Sequence, residues 1–216
     1  MLKLITNPNE FFAELKQEDV KIKKPLTLVL PLAIILSIYQ YLIINKIAQA
    51  FPTEIAKFFL IGAYIGIVAS FIGIFAAWLI LAIIMHGLSS FFGGKGSFRR
   101  TFEFVGYGFL PSLFGSAITV PMSAYYIVNT EIPRVSIEQL QQNPNIMKSL
   151  MLSLIPRNLV YSNLIINFAV TVWSLTIWTF AIKHAREIEL RNAFICALIA
   201  VVLSEIYQIW SIMRLL

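Results

Sequence analysis

Charge, cysteine and histidine are all scarce in this sequence, and each shortage removes a class of function. Asp, Glu, Lys and Arg make up only 13% of the 216 residues, about half the share of an ordinary soluble domain. A fully solvated surface cannot be built from so few. The single cysteine, Cys196, excludes an intrachain disulfide and a metal site of the usual ligand count. The two histidines, His86 and His184, have no carboxylate pair beside them and read as interfacial helix ends. No Ser-His-Asp, paired-acid or His-Glu-x-x-His pattern occurs. No catalytic residue, cofactor or metal is therefore expected, and the chain does not read as an enzyme.

What is plentiful is apolar sequence. Hydrophobic residues make up 58% of the chain, gathered in runs of about 20 residues, enough to cross a hydrocarbon core of roughly 30 Å. The runs do not alternate as lipid-facing and lumen-facing barrel strands must. Helices remain as the way to satisfy every backbone group in lipid. The expected fold is all-α: a polytopic membrane bundle of five transmembrane helices with short interfacial helices. The spans fall at about 26–44, 59–85, 104–128, 163–182 and 193–213, behind an amphipathic segment at 1–25. The net charge of +6 does not indicate nucleic acid. The basic residues flank the apolar runs, where membrane lipids are the partner.

Along the chain, Asn7-Pro8-Asn9-Glu10 reads as a capped helix start. Phe11, Phe12 and Leu15 share one side of that helix. It lies on the membrane surface or on the bundle's own end, and the sequence leaves both open. Ala48-Gln49-Ala50 resembles a signal cleavage site, but the preceding apolar run is too long for a signal core, and no cleavage is expected. Gly62, Gly66, Ser70, Gly73 and Ala77 put small side chains along one helix face. That stripe serves tight packing within the monomer or a homo-oligomer seam through the Gly62/Gly66 face. Gly93–Glu103 reads as a basic loop, and Gly106, Gly108, Pro111, Gly115 and Pro121 predict a kinked third span. Gly93–Ser97 lacks Walker spacing and a preceding strand, so no nucleotide site is expected. Ser136–Gln139 reads as a helix cap and Asn143-Pro144-Asn145 as a break, predicting one or two short helices in the longest connection, Asn129–Ser162.

Two groups of residues are candidates for function. Glu205 lies in the middle of the fifth span, one turn from Gln208. An acid at that depth costs a few kcal/mol and needs a protein partner. Asn163 and Asn167, on a polar stripe continued by Thr171, Ser174 and Trp178, are candidate partners, as are Tyr107 and Ser112. The site binds a proton or cation, or it is a structural hydrogen bond between helices. The second group, Lys95, Arg99, Arg100, Lys183 and Arg186, contacts anionic lipid headgroups or sets topology. Loops on one side carry 5, 3 and 3 basic residues, so 11, and those on the other 2, 3 and 1, so 6. The positive-inside rule places the N-terminus in the cytoplasm and the C-terminus outside, in the cell membrane.

Three pieces of the sequence together resemble the Yip domain of Ypt/Rab-interacting membrane proteins. They are Asn7-Pro8 with Phe11 and Phe12, the Gly96–Arg100 loop leading into Gly106-Tyr107 and Pro111, and Trp173 and Trp178 followed by the charged turn ending in Arg191, Asn192 and Ala193. The resemblance implies five membrane helices with a cytoplasmic N-terminus. It also implies kinship with eukaryotic proteins of endoplasmic reticulum–Golgi traffic that contact Rab-type GTPases. The chain lacks their long N-terminal region and their Asp-Leu-Tyr-Gly-Pro motif, so it resembles a prokaryotic member, and GTPase binding is not carried over to it. The resemblance favours a non-enzymatic membrane-organising or scaffold role. A small transporter or channel using Glu205, and a lipid-handling protein, are the alternatives.

Overall fold

The computed structural model describes residues 2–143, 145–154 and 156–215, without the side chains at 147, 148, 151, 157, 207–209 and 211–215. Helix makes up 82% of the chain, and no strand occurs among the described residues. Two short helices open it, α1 (Leu2–Thr6) and α2 (Pro8–Leu15). As expected, Asn7 caps α2: its side chain accepts from the Glu10 backbone N–H at 3.2 Å and donates to the Glu10 carboxylate at 2.9 Å.

Four helical segments among the described residues are long and apolar enough to cross a membrane. They are α3 (Lys23–Ala48), α4 (Thr53–Ser90), α5 and α6 together (Phe98–Tyr107 and Leu110–Asn129), and α9 (Arg157–Arg186). The fifth expected span falls on α10 (Leu190–Leu215), whose 26 residues extend roughly 39 Å; its described side chains stop short of a full crossing. At 38 residues, or roughly 57 Å, α4 is longer than a bilayer core and runs unbroken through Gly87. Between α6 and α9 lie α7 (Ile137–Gln142) and α8 (Ile146–Ser153). Ser136 and Gln139 cap α7 reciprocally, as the sequence predicts. Pro144, in the predicted break after it, lies outside the described residues.

The bundle has two unlike ends. The proximal end carries α1, α2, the α4–α5 turn and the α9–α10 turn. The distal end carries the α3–α4 turn and the α7–α8 segment. There Leu150 and Leu154 are buried with Ile47, Phe51 and Val135, and the Val135 N–H donates to the Ala50 carbonyl at 2.8 Å. The predicted interfacial helices therefore fold back onto the α3–α4 turn.

Several boundaries differ from the sequence-based expectation, three of them with a local cause. The predicted loop Gly93–Glu103 is helical from Phe98 onward, because Ser97 accepts from the Arg100 N–H and caps α5. The third pass is not one kinked helix but two, separated at Gly108 and Phe109. Pro111 has no N–H to continue the α5 ladder, yet it fits the first turn of α6. The α9 helix begins at Arg157, a turn and a half before the expected Asn163, because α9 starts directly after Pro156.

Candidate functional site

Two glycines explain how the break in the third pass is built. Gly108 lies under the Trp178 indole and Gly106 under Trp78, and a Cβ on either would overlap the ring. That close approach lets each indole reach a backbone carbonyl of α5. Trp178 Nε1 donates to the Val105 carbonyl at 2.8 Å, and Trp78 Nε1 to the Phe102 carbonyl at 2.7 Å. Trp78 also stacks on Phe102 with centroids 4.1 Å apart. Val105 lies in the last turn of α5, where carbonyls buried away from water need such partners.

The proximal end is a dense clamp. Glu103 is fully buried, and its carboxylate accepts from Arg100 at 2.9 Å and from the Lys21 backbone N–H at 2.9 Å. Arg100 also donates to the Leu15 and Glu18 carbonyls. One ion pair therefore holds the connection between α2 and α3. Arg186, also buried, donates to the hydroxyls of Ser89 and Ser90 and to the carbonyls of Gly94 and Gly96. Gly96 has φ +99 and presses on the Ala185 carbonyl, a backbone state and a closeness that suit only glycine. The basic loop is thus a strap across the end of α9. Lys183 Nζ donates to Asn9 Oδ1 at 2.8 Å, and His184 Nε2 lies 2.9 Å from the same oxygen.

These bonds settle where α2 lies. Phe12 and Leu4 are completely buried against Phe104, Tyr107, Ile177 and Ala181, so of the two positions open from sequence the helix takes the bundle's own end. An exposed ion pair, Lys16 with Glu187 at 2.8 Å, supports the same contact. The Lys16 ammonium holds the Glu187 carboxyl below its ordinary range. Hydrogen bonds from Lys24, then Lys21, do the same to Glu18.

Of the five expected headgroup residues, Lys95 and Arg99 are exposed, whereas Arg100, Lys183 and Arg186 have protein partners. Glu103 was not singled out from sequence. Its spacing of three from Arg100 on a helix was the available signal.

A cavity of about 670 Å³ opens within the bundle between α3, α4, α6, α9 and α10. The whole predicted polar stripe of α9 lines it: Asn163, Asn167, Thr171, Ser174 and Trp178. So do Glu205 and Ser112. The Thr171 hydroxyl donates to Glu205 Oε1 at 3.2 Å, and Asn163 Nδ2 donates to Ser123 Oγ at 3.3 Å. Tyr107 is not part of this group. It is 2% exposed in the proximal core, its ring edge-on to Phe11. The side chain of Gln208 lies outside the described residues. Among the described residues no cluster of three His, Cys, Asp or Glu forms.

The order of these features along the chain matches a known family. The model of the Yip1 domain matches residues 2–212. This chain belongs to the Yip1 family. It is also similar to an uncharacterised protein of the archaeon Methanocaldococcus jannaschii, MJ0794, with 39% identity over 127 residues, 59% of this chain and 89% of that protein. The archaeal relative is in keeping with a prokaryotic-type member. No solved structure matches. Family and helices together make this a multi-pass integral membrane protein. Within the Yip1 frame, the Gly-Tyr-Gly and Trp residues form the break in the third pass, and the basic loop forms the strap.

Proposed function

We propose that this Yip1-family protein is a non-enzymatic membrane organiser that works through contacts made inside the bilayer, the first of them with a second copy of itself. The observation that carries this reading is the bare outer face of α4. Gly62, Gly66 and Gly73 have no atom within 4 Å of where a Cβ would stand. Only 17% of that helix's most apolar window is buried, against 56% for the α5–α6 pass. In lipid, close backbone approach along small residues favours helix association. The bundle itself does not use that approach here. In a Cys196→Ala background, Gly66→Cys gives oxidised dimers in membranes, while Ala82→Cys, on a buried face of the same helix, gives none. A Gly66→Cys protein that is well expressed and never cross-links would reject the reading.

The proximal end faces the cytoplasm in this proposal, supported by the 11 basic residues on that side against 6 on the other. A reporter active only in the cytoplasm, fused after Leu216, stays silent. Of the five residues expected at headgroups, the clamp leaves Lys95 and Arg99 open to anionic lipid.

A further inference from the structure

The cavity at Glu205 has a chemistry that self-association through α4 does not use. Its carboxylate is the one acid among the described lining residues, and no lysine, arginine or histidine faces it there. Thr171 occupies one oxygen, Oε1. Two further groups on the same wall are short of partners. Ser174 is 3% exposed, and its hydroxyl has no hydrogen-bond partner among the described residues. Asn163 donates through Nδ2, but its carbonyl oxygen Oδ1 is buried and accepts from no described group. Buried polar atoms of this kind are ordinarily satisfied. Asn163 lies roughly 16 Å from Ser174 along α9, so one occupant can meet only Glu205 and Ser174, which is one turn beyond Thr171. What they lack is a donor with positive charge.

Apart from Tyr39, the α3 and α4 sides of the wall are apolar, with Leu32, Leu36, Ile74 and Leu81, whereas α6 adds the hydroxyls of Ser112, Ser116, Thr119 and Ser123. The volume, about 670 Å³, lies in the range of sites for small organic molecules and far exceeds a bare ion. We propose that this cavity is a binding site for a primary ammonium carried on a compact apolar body. The ammonium donates to Glu205 and to the Ser174 hydroxyl, and the hydrocarbon part lies against α3 and α4. An ammonium has donors enough for both oxygens at once. Its charge also relieves the cost of holding a carboxylate at membrane depth. The Trp178 ring, which forms one side of the cavity while its Nε1 holds the Val105 carbonyl, connects an occupant to the break in the third pass.

The test uses the full-length protein in nanodiscs of zwitterionic lipid, with thermal unfolding followed by tryptophan fluorescence. The probes are cyclohexylammonium, its neutral counterpart cyclohexanol, and sodium chloride at matched concentration. Cyclohexylammonium is expected to raise the melting temperature saturably, and the other two are not. Glu205→Gln should weaken the apparent affinity roughly tenfold or more, as expected for loss of a charged hydrogen bond. Should that variant unfold, Ser174→Ala provides the same comparison with a smaller loss. An equal response to cyclohexanol would reduce the cavity to an apolar hole, and an equal response to sodium chloride to an ion site. Either result overturns the proposal, as does no saturable response or one that survives in both variants. None of these outcomes bears on cross-linking at Gly66, so the two readings fail separately.

Discussion

The proximal clamp and the outer face of α4 are built from opposite materials. The clamp joins residues some 80 to 170 positions apart through bonds among α2, α5 and α9, such as Arg100 to Glu18 and Lys183 to Asn9. The outer half of α4 touches little: Phe58, Ile61, Ile65, Val68 and Ile72 are all exposed. In water such a face would be a liability. In hydrocarbon it costs nothing, because lipid tails are as apolar as the side chains. Polar groups have no such freedom and must find protein partners. The contrast teaches that in this molecule specificity lies with the few polar groups, while the apolar majority sets only depth and length.

Substitutions on the two regions should therefore differ by far more than their chemistry suggests. The largest effect is expected at Glu103→Ala, which leaves the Arg100 guanidinium without its partner beside a buried helix end. Breaking a buried pair by removing one member costs about 3–5 kcal/mol, read as a lower melting temperature in detergent. If Glu103→Ala melted with the parent, the clamp would not hold the fold as described. Next comes Gly108→Ala. Its methyl would collide with the Trp178 ring, and overpacking of this kind costs about 1–3 kcal/mol. The comparison residue is Gly66, inside α4 with open space around it. Gly66→Ala should be neutral or gain up to about 1 kcal/mol, since alanine is the better helix former. Equal losses at Gly108 and Gly66 would erase the distinction between the two regions.

Much of this was legible in the sequence. Long apolar runs announced the membrane helices, Asn7-Pro8 and Ser136–Gln139 announced their helix starts, and the α9 stripe announced a protein-facing surface. Each of these signals is local. The expected partnership between Tyr107 and Glu205 does not occur, because Tyr107 sits before the helix break, in the proximal core, while Ser112, just past it, reaches the cavity. The destinations of Arg100 and Arg186 were likewise hidden. An arginine beside an apolar run looks the same whether it meets a lipid phosphate or a row of carbonyls. The decisive carbonyls, of Glu18 for Arg100 and of Gly94 and Gly96 for Arg186, lie 82 to 92 residues away in the chain.

By itself the amino-acid sequence determined that this is a helical membrane protein, roughly how many times it crosses, and which face of α9 is polar. Run length and periodicity are properties of neighbours, and the bilayer acts on them directly. Only the tertiary structure decided that α2 lies on the bundle, that the third pass is two helices joined under an indole, and that Glu205 meets Thr171 across a cavity. Those outcomes depend on which buried donor reaches which buried acceptor, and that is settled by the meeting of segments far apart in the chain.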